Sequence, residues 1–276
     1  MSTYCIGDVH GCLRTLLALF AKIDYRPEKD RLWFTGDLVD RGPDSVGVLR
    51  LLSGLPETVA VMGNHDFHLL ACYFGGIQNC KPGYQKILAT PDLEQFIPWL
   101  LSRPFIHYDN NYPWVLTHAG IYPKWTIKQA LKYAKELEQL LQNNHHEKLA
   151  DFFRAAYGNE SVTWQEHLTD AQRYQFLINS FTRMRYCKSD GTLEFDNVAH
   201  PDQVTVTHPD LKPWFDFPGR QIDATLGILF GHWAALGNSI RRERMICLDS
   251  GCSWGSQLTA YCLETGQFYQ VDYQDG

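Results

Sequence analysis

The sequence predicts an α/β fold carrying an inserted helical cap, and three observations predict it. Apolar and β-branched runs at Ser2–Ile6, Leu32–Phe34 and Thr58–Met62 alternate with stretches whose apolar residues recur at helical spacing. Each run ends in a glycine-flanked polar motif. Asp37 follows Asp8 by 29 positions (37 minus 8) and Asn64 follows Asp37 by 27 (64 minus 37), close to the ~30 residues of a βαβ unit. Residues 121–220 then break that rhythm with amphipathic helices and a proline-interrupted loop.

The first strand runs into Gly7-Asp8-Val9-His10-Gly11. Alternate residues leaving a strand point the same way, so Asp8 and His10 can project together as half of a divalent-metal shell. Leu13, Leu16, Leu17, Phe20 and Ile23 form one helical stripe, and the helix ends before Pro27. The second strand leads into Gly36-Asp37-Leu38-Val39-Asp40-Arg41-Gly42, where a carboxylate could bridge two ions and an arginine could hold a phosphate. Alone, such a run could equally be a strand-to-helix turn. Val46, Leu49, Leu52 and Leu55 line the next helix. The third strand meets Gly63-Asn64-His65-Asp66, and in open α/β sheets that strand edge is where ligands collect.

In the cap, Thr126–Leu141 is an amphipathic helix with Thr126 and Gln129 as its capping box, and Asp170–Phe181 is a second helix. Closing strands are expected around Met245–Leu248, Leu258–Leu263 and Phe268–Val271, within one domain spanning 1–276.

Composition narrows the function classes. A formal charge of −6 and a pI near 6.0 argue against broad nucleic-acid or membrane binding. Metal ions can reverse that sign locally, so an anionic substrate stays open. The eight cysteines form no C-x-x-C pair and are expected as reduced, buried thiols. The first strand begins within three residues of Met1 and no long apolar span follows, so a cytoplasmic protein is expected.

The three motifs together with Thr117-His118-Ala119-Gly120 and Gly231-His232-Trp233 resemble those of the calcineurin-like metallophosphoesterases. The resemblance is closer to the symmetrical diadenosine tetraphosphatases. It extends through Asp66, where protein phosphatases usually carry Glu, through Phe181-Thr182-Arg183-Met184-Arg185-Tyr186-Cys187, and through the run from Leu248 to Ala260. It implies a sandwich of mixed β-sheets flanked by helices, with the 121–220 segment as a helical cap. It also implies two divalent ions, one held by Asp8, His10 and Asp37 and the other by Asp37, Asn64, His118 and His232. Nitrogen and oxygen ligands without thiolate suit manganese or cobalt, with iron or zinc as alternatives.

The implied reaction is cleavage of diadenosine tetraphosphate into two ADP by a metal-bridging hydroxide. His65 would be the general acid, Asp40 its partner and Arg41 a phosphate clamp. Two divalent ions against two carboxylates and one hydroxide leave a net positive charge for the phosphate. His68 shares a helical face with His65 and is read as structural. Arg183 and Arg185 are candidates for the far phosphates; on an extended segment both would point to one side, on a helix they would diverge. Aromatics from Trp125 to Trp254 could stack on adenine, and nothing in the sequence selects among them.

The same bond type would make nucleotide-capped RNA ends a chemically accessible substrate. No obligate protein partner is evident. A protein Ser/Thr phosphatase is the alternative reading, and a scaffold that has lost catalysis is disfavoured because every ligand candidate, His65 and Arg41 are present.

Overall fold

The computed structural model describes residues 1–143, 145–159, 163–238, 240–242 and 244–276. It opens with β1 (Thr3–Ile6), α1 (Leu13–Lys22), β2 (Arg31–Phe34), α2 (Ser45–Ser53), β3 (Thr58–Ala60) and α3 (Asn64–Tyr73). Helices α4 (Pro82–Leu88) and α5 (Leu93–Leu101) lead to β4 (Ile106–Tyr108) and β5 (Trp114–Thr117). The 121–220 segment holds α6 (Ile127–Asn143), α7 (His146–Ala156), α8 (Asp170–Thr182), β6 (Tyr186–Lys188), β7 (Leu193–Glu194), α9 (Pro201–Thr207) and β8 (Leu211–Pro213). The chain closes with β9 (Gly227–Phe230), β10 (Arg241–Arg242), β11 (Met245–Cys247), β12 (Gln257–Cys262) and β13 (Phe268–Asp272).

Two five-stranded mixed sheets stack on each other, one in the order β13-β12-β1-β2-β3 and the other β10-β11-β9-β5-β4. Strand alternation divides the apolar residues between two cores. Cys5, Trp33, Trp114, Leu116, Leu229 and Ile246 point inward between the sheets. Their neighbours Tyr4, Ile6, Leu32, Phe34, Val115 and Ile228 join the larger core under the helices. Strands with both faces covered read as continuous apolar runs, as these do.

Two features differ from the expected pattern. In α1, Leu19 is buried and Leu17 stands 47% exposed, because the helix packs on β12 and β13 and turns its stripe toward them. The 121–220 segment contains a three-stranded sheet, β7-β6-β8, besides its helices. Its capping box is present, with Gln129 N donating to Thr126 Oγ1 at 3.2 Å and Thr126 N to Gln129 Oε1 at 2.9 Å.

The expectation of reduced thiols throughout is corrected at one pair. Cys72 and Cys80 form a disulfide, since the turn after α3 brings their Cα atoms to 6.0 Å. The six other cysteines are buried and not disulfide-bonded among the described residues. Among the described residues no helix is long and apolar enough to cross a membrane.

Candidate metal centre

The polar motifs leave the C-terminal ends of parallel-paired strands: Asp8 and His10 after β1, Asp37 after β2, Asn64 after β3, His118 after β5 and His232 after β9. Backbone bonds hold these loops together, with His10 N donating to Asp37 O and Gly231 N to His118 O, each at 2.8 Å. His10, Asp37, Asp40, Arg41 and His232 all have positive φ, a conformation that costs non-glycine residues energy and gathers at functional sites. Two glycines let the loops approach. A Cβ on Gly63 would lie 2.2 Å from Asp37 Oδ1, and one on Gly231 would lie 1.9 Å from Asp8 Oδ1.

Asp37 is the hub. Its Oδ2 lies 3.4 Å from His118 Nε2, 3.6 Å from His10 Nε2 and 3.9 Å from His65 Nε2. Two compact donor groups share it, His10–Asp37–His65 and Asp37–His118–His232, with all ligand atoms of each group within 4.8 Å of one another. Asn64 Oδ1 lies 3.1 Å from His118 Nε2, at the edge of the second group. Asp8 stands beside these groups. Its Oδ1 accepts from Thr35 Oγ1 at 2.7 Å and its Oδ2 from His232 N at 2.9 Å.

This donor set of imidazoles and one shared carboxylate fits divalent ions of the first transition row, and two overlapping groups fit a pair of them. Ring orientation is set from behind, as such ligands require: His10 Nδ1 faces Val39 O at 3.0 Å and His118 Nδ1 faces Thr35 O at 2.7 Å.

Charge is distributed unevenly. Burial opposes ionisation of Asp37, but the surrounding His118, His65 and His10 outweigh it and hold its carboxyl well below the usual range. Burial, then the nearby Asp249, raises Asp8 well above that range. Burial lowers His10 to about 4 and, with Arg185 close by, lowers His232 well below the ordinary imidazole value. Burial pulls His118 down as well, yet Asp37 and Asp8 together raise it to about 9.

Around the hub sit further charged and polar side chains. His65 Nδ1 is 2.8 Å from Asp40 Oδ2 and 2.9 Å from the Tyr84 hydroxyl. Asp40 resists burial through its bond to His65 and stays below the usual carboxylate range. The Arg41 guanidinium lies 4.5 Å over the indole of Trp254. Arg183 caps α8 and Arg185 precedes β6, and both line one cavity of about 470 Å³ with His10, Asp37 and His232. Between the end of α8 and the start of β6 the segment is neither one extended strand nor a continued helix, yet both side chains reach the same cavity. Arg185 Nη2 donates to His232 O at 2.8 Å, while its buried Nε has no partner. None of Arg41, Arg183 and Arg185 makes an ion pair with a carboxylate among the described residues.

Residues 1–235 match the Calcineurin-like phosphoesterase family. A "Bis(5'-nucleosyl)-tetraphosphatase, symmetrical" of Cellvibrio japonicus is 41% identical over 272 residues, covering 98% of each chain. One of the same name from Pectobacterium atrosepticum is 44% identical over 262 residues, covering 94% of this chain and 90% of that one. The chain belongs to the calcineurin-like phosphoesterases, within the family of symmetrical bis(5'-nucleosyl)-tetraphosphatases. The fold agrees. A solved structure named "putative diadenosine tetraphosphatase" superposes with a TM-score of 0.65 at 22% identity, covering 100% of this chain and 95% of that one. Membership in the phosphoesterase family implies divalent metal ions.

Some residues of this phosphoesterase site escaped sequence reasoning. Tyr84 comes from α4, an element without a distinctive motif. Asp249 lies buried in the loop after β11, where its Oδ1 accepts from Gly251 N at 3.1 Å. Its only signal was its place within the Leu248–Ala260 run. Asp66, noted in the sequence only as a mark of the resemblance, accepts from Leu38 N at 3.0 Å and Gly63 N at 3.2 Å, tying together the loops that carry Asp37 and Asn64.

Proposed function

We propose that this phosphoesterase hydrolyses diadenosine tetraphosphate symmetrically into two ADP, using two divalent ions, manganese or cobalt before iron or zinc. One observation carries the reading. Two donor groups share Asp37, and three guanidinium groups that have no carboxylate partner among the described residues surround them in a chain about 40% identical to enzymes of that name. Asp8, His10 and Asp37 would hold one ion, with Asp37, Asn64, His118 and His232 holding the other. When bound, such ions supply Lewis acidity toward a phosphoryl oxygen and the attacking water.

The chain's own groups do the rest. Arg41 grips the phosphate under attack, held flat by the Trp254 face. Arg183 and Arg185 hold the far phosphates; burial lowers Arg185 only to about 10, so it stays charged at neutral pH. His65 is oriented by Asp40 and Tyr84 through Nδ1, leaving Nε2 to pass a proton to the departing oxygen. Asp249, near Arg185 and Asp8, balances charge behind the site. Residues 121–220 act as a cap that brings Arg183 and Arg185 to the strand edge. We place the enzyme in the cytoplasm and extend its substrates to nucleotide-capped RNA ends, which share the bond type.

The deciding comparison is a manganese-loaded assay of a dinucleoside polyphosphate beside a phosphoserine peptide. Hydrolysis of the nucleotide is expected. Preference for the peptide would favour a protein phosphatase instead.

A further inference from the structure

A second cavity, of about 360 Å³, adjoins the one over the metal ligands. Both cavities are bordered by Arg41, Asn64, His65 and Arg183, so they meet at a shared rim beside the hub. Its size falls in the ~300–1,000 Å³ range of small-molecule sites. Like the first cavity it holds three cations, here Arg41, Lys81 and Arg183, but among the described residues its lining includes no Asp or Glu, where the first has Asp37 and Asp249. In a chain of net charge −6 that local excess of positive charge marks an anion site. Lys81 is exposed at the start of α4 and makes no ion pair among the described residues.

Apolar exposure points the same way. The large exposed hydrophobics among the described residues are Met1, Leu17, Tyr157, Val198, Val206 and Trp254. Val198 and Trp254 line the first cavity and Tyr157 the second, so each anion-attracting cavity has its own flat or apolar surface. The Tyr157 hydroxyl bonds to His68 Nδ1, which fixes the ring. His68 belongs to the same lining, and its buried Nε2 has no partner among the described residues.

We propose that this second cavity is a half-site for a nucleoside diphosphate, with the base on Tyr157 and the phosphates on Lys81, Arg41 and Arg183. A dinucleoside tetraphosphate then lies across the shared rim, one half in each cavity, with Trp254 and Val198 beside the other base. The inference rests on the proposed hydrolase reading.

Calorimetric titration of the manganese-loaded protein with ADP tests it. Two ADP per chain are expected. Tyr157→Ala and Lys81→Ala should each weaken one of the two sites, Tyr157→Ala by about tenfold, the scale of one base–aromatic contact. Tyr157→Phe should restore it, because the ring face remains. Trp254→Ala should weaken the other site. A single ADP per chain in a protein that does split diadenosine tetraphosphate would overturn the half-site and leave the hydrolase reading standing. Two unweakened sites in both Tyr157→Ala and Lys81→Ala would overturn it as well. Neither hydrolysis nor ADP binding by the unaltered protein would remove the hydrolase reading and the half-site with it.

Discussion

Replacing Asp66 should damage this protein out of proportion to its distance from substrate. Its side chain is fully buried, accepts Leu38 N and Gly63 N, and lies 3.7 Å from Arg103 Nη1. Arg103 in turn donates from Nε to Ala60 O at 3.1 Å and from Nη2 to Val61 O at 3.3 Å. Burial raises the Asp66 carboxyl while Arg103 pulls it back, so the charged pair adds little net stability. What matters is what truncation leaves behind. Asp66→Ala strands two backbone donors, at about 1–3 kcal/mol each. It also strands a buried guanidinium, for which breaking such a pair costs about 3–5 kcal/mol.

One side chain serves both roles, so the costs overlap and about 4 kcal/mol or more is expected in total. That is a large part of the ~5–15 kcal/mol available to a typical domain. Urea denaturation of Asp66→Ala, Arg103→Met and the double variant would measure it. The double variant should lose less than the sum of the singles, because Met leaves no stranded charge. An Asp66→Ala loss below about 1 kcal/mol, or strict additivity, would refute the brace.

Other consequences concern the centre itself. Asp37→Asn should lower metal content at both positions and abolish turnover, since Asp37 alone belongs to both donor groups; full occupancy by mass spectrometry would remove its bridging role. His65→Asn should retain metal and lose turnover by ~10²–10³-fold, the lower half of the range for a positioned acid, because the polyphosphate leaving group is already stable as an anion. Loss of metal in that variant would make His65 a ligand, consistent with its place beside His10 and Asp37.

Metal uptake at pH 7.5 should release about one proton or more. His118 is raised to about 9 from the ordinary 6.5, so it is charged in the metal-free protein and must lose its proton to bind. Affinity should therefore climb with pH until about pH 9 and level off above it. Calorimetry in buffers of different ionisation enthalpy reads the proton count, and a value of zero would contradict the assignment.

The strand-end motifs were legible because local chemistry and regular spacing coincide. Asp8, Asp37 and Asn64 each follow an apolar run, and the parallel pairing of β1, β2 and β3 brings them to one edge. His118 and His232 were recognisable in the same way, although their loops meet only through the pairing of β5 with β9. Elements fixed by distant partners were not legible. The burial of Leu19 depends on β12 and β13, more than 200 residues away. β7 has two residues, too few to show alternation. Tyr84 reaches His65 and Trp254 reaches Arg41 only after the chain has folded, so neither leaves a local pattern.

The central claim is that the site selects one bond of a chemically repetitive chain. Positioning must supply that choice, since misplacement by about 1 Å can cost ~10²-fold. The direct measurement is chromatography of the products from diadenosine pentaphosphate with the manganese-loaded enzyme. A site that places the second phosphorus from one nucleoside over the metal centre predicts ADP and ATP. AMP and adenosine tetraphosphate as main products would contradict symmetrical cleavage even if the metal chemistry were intact.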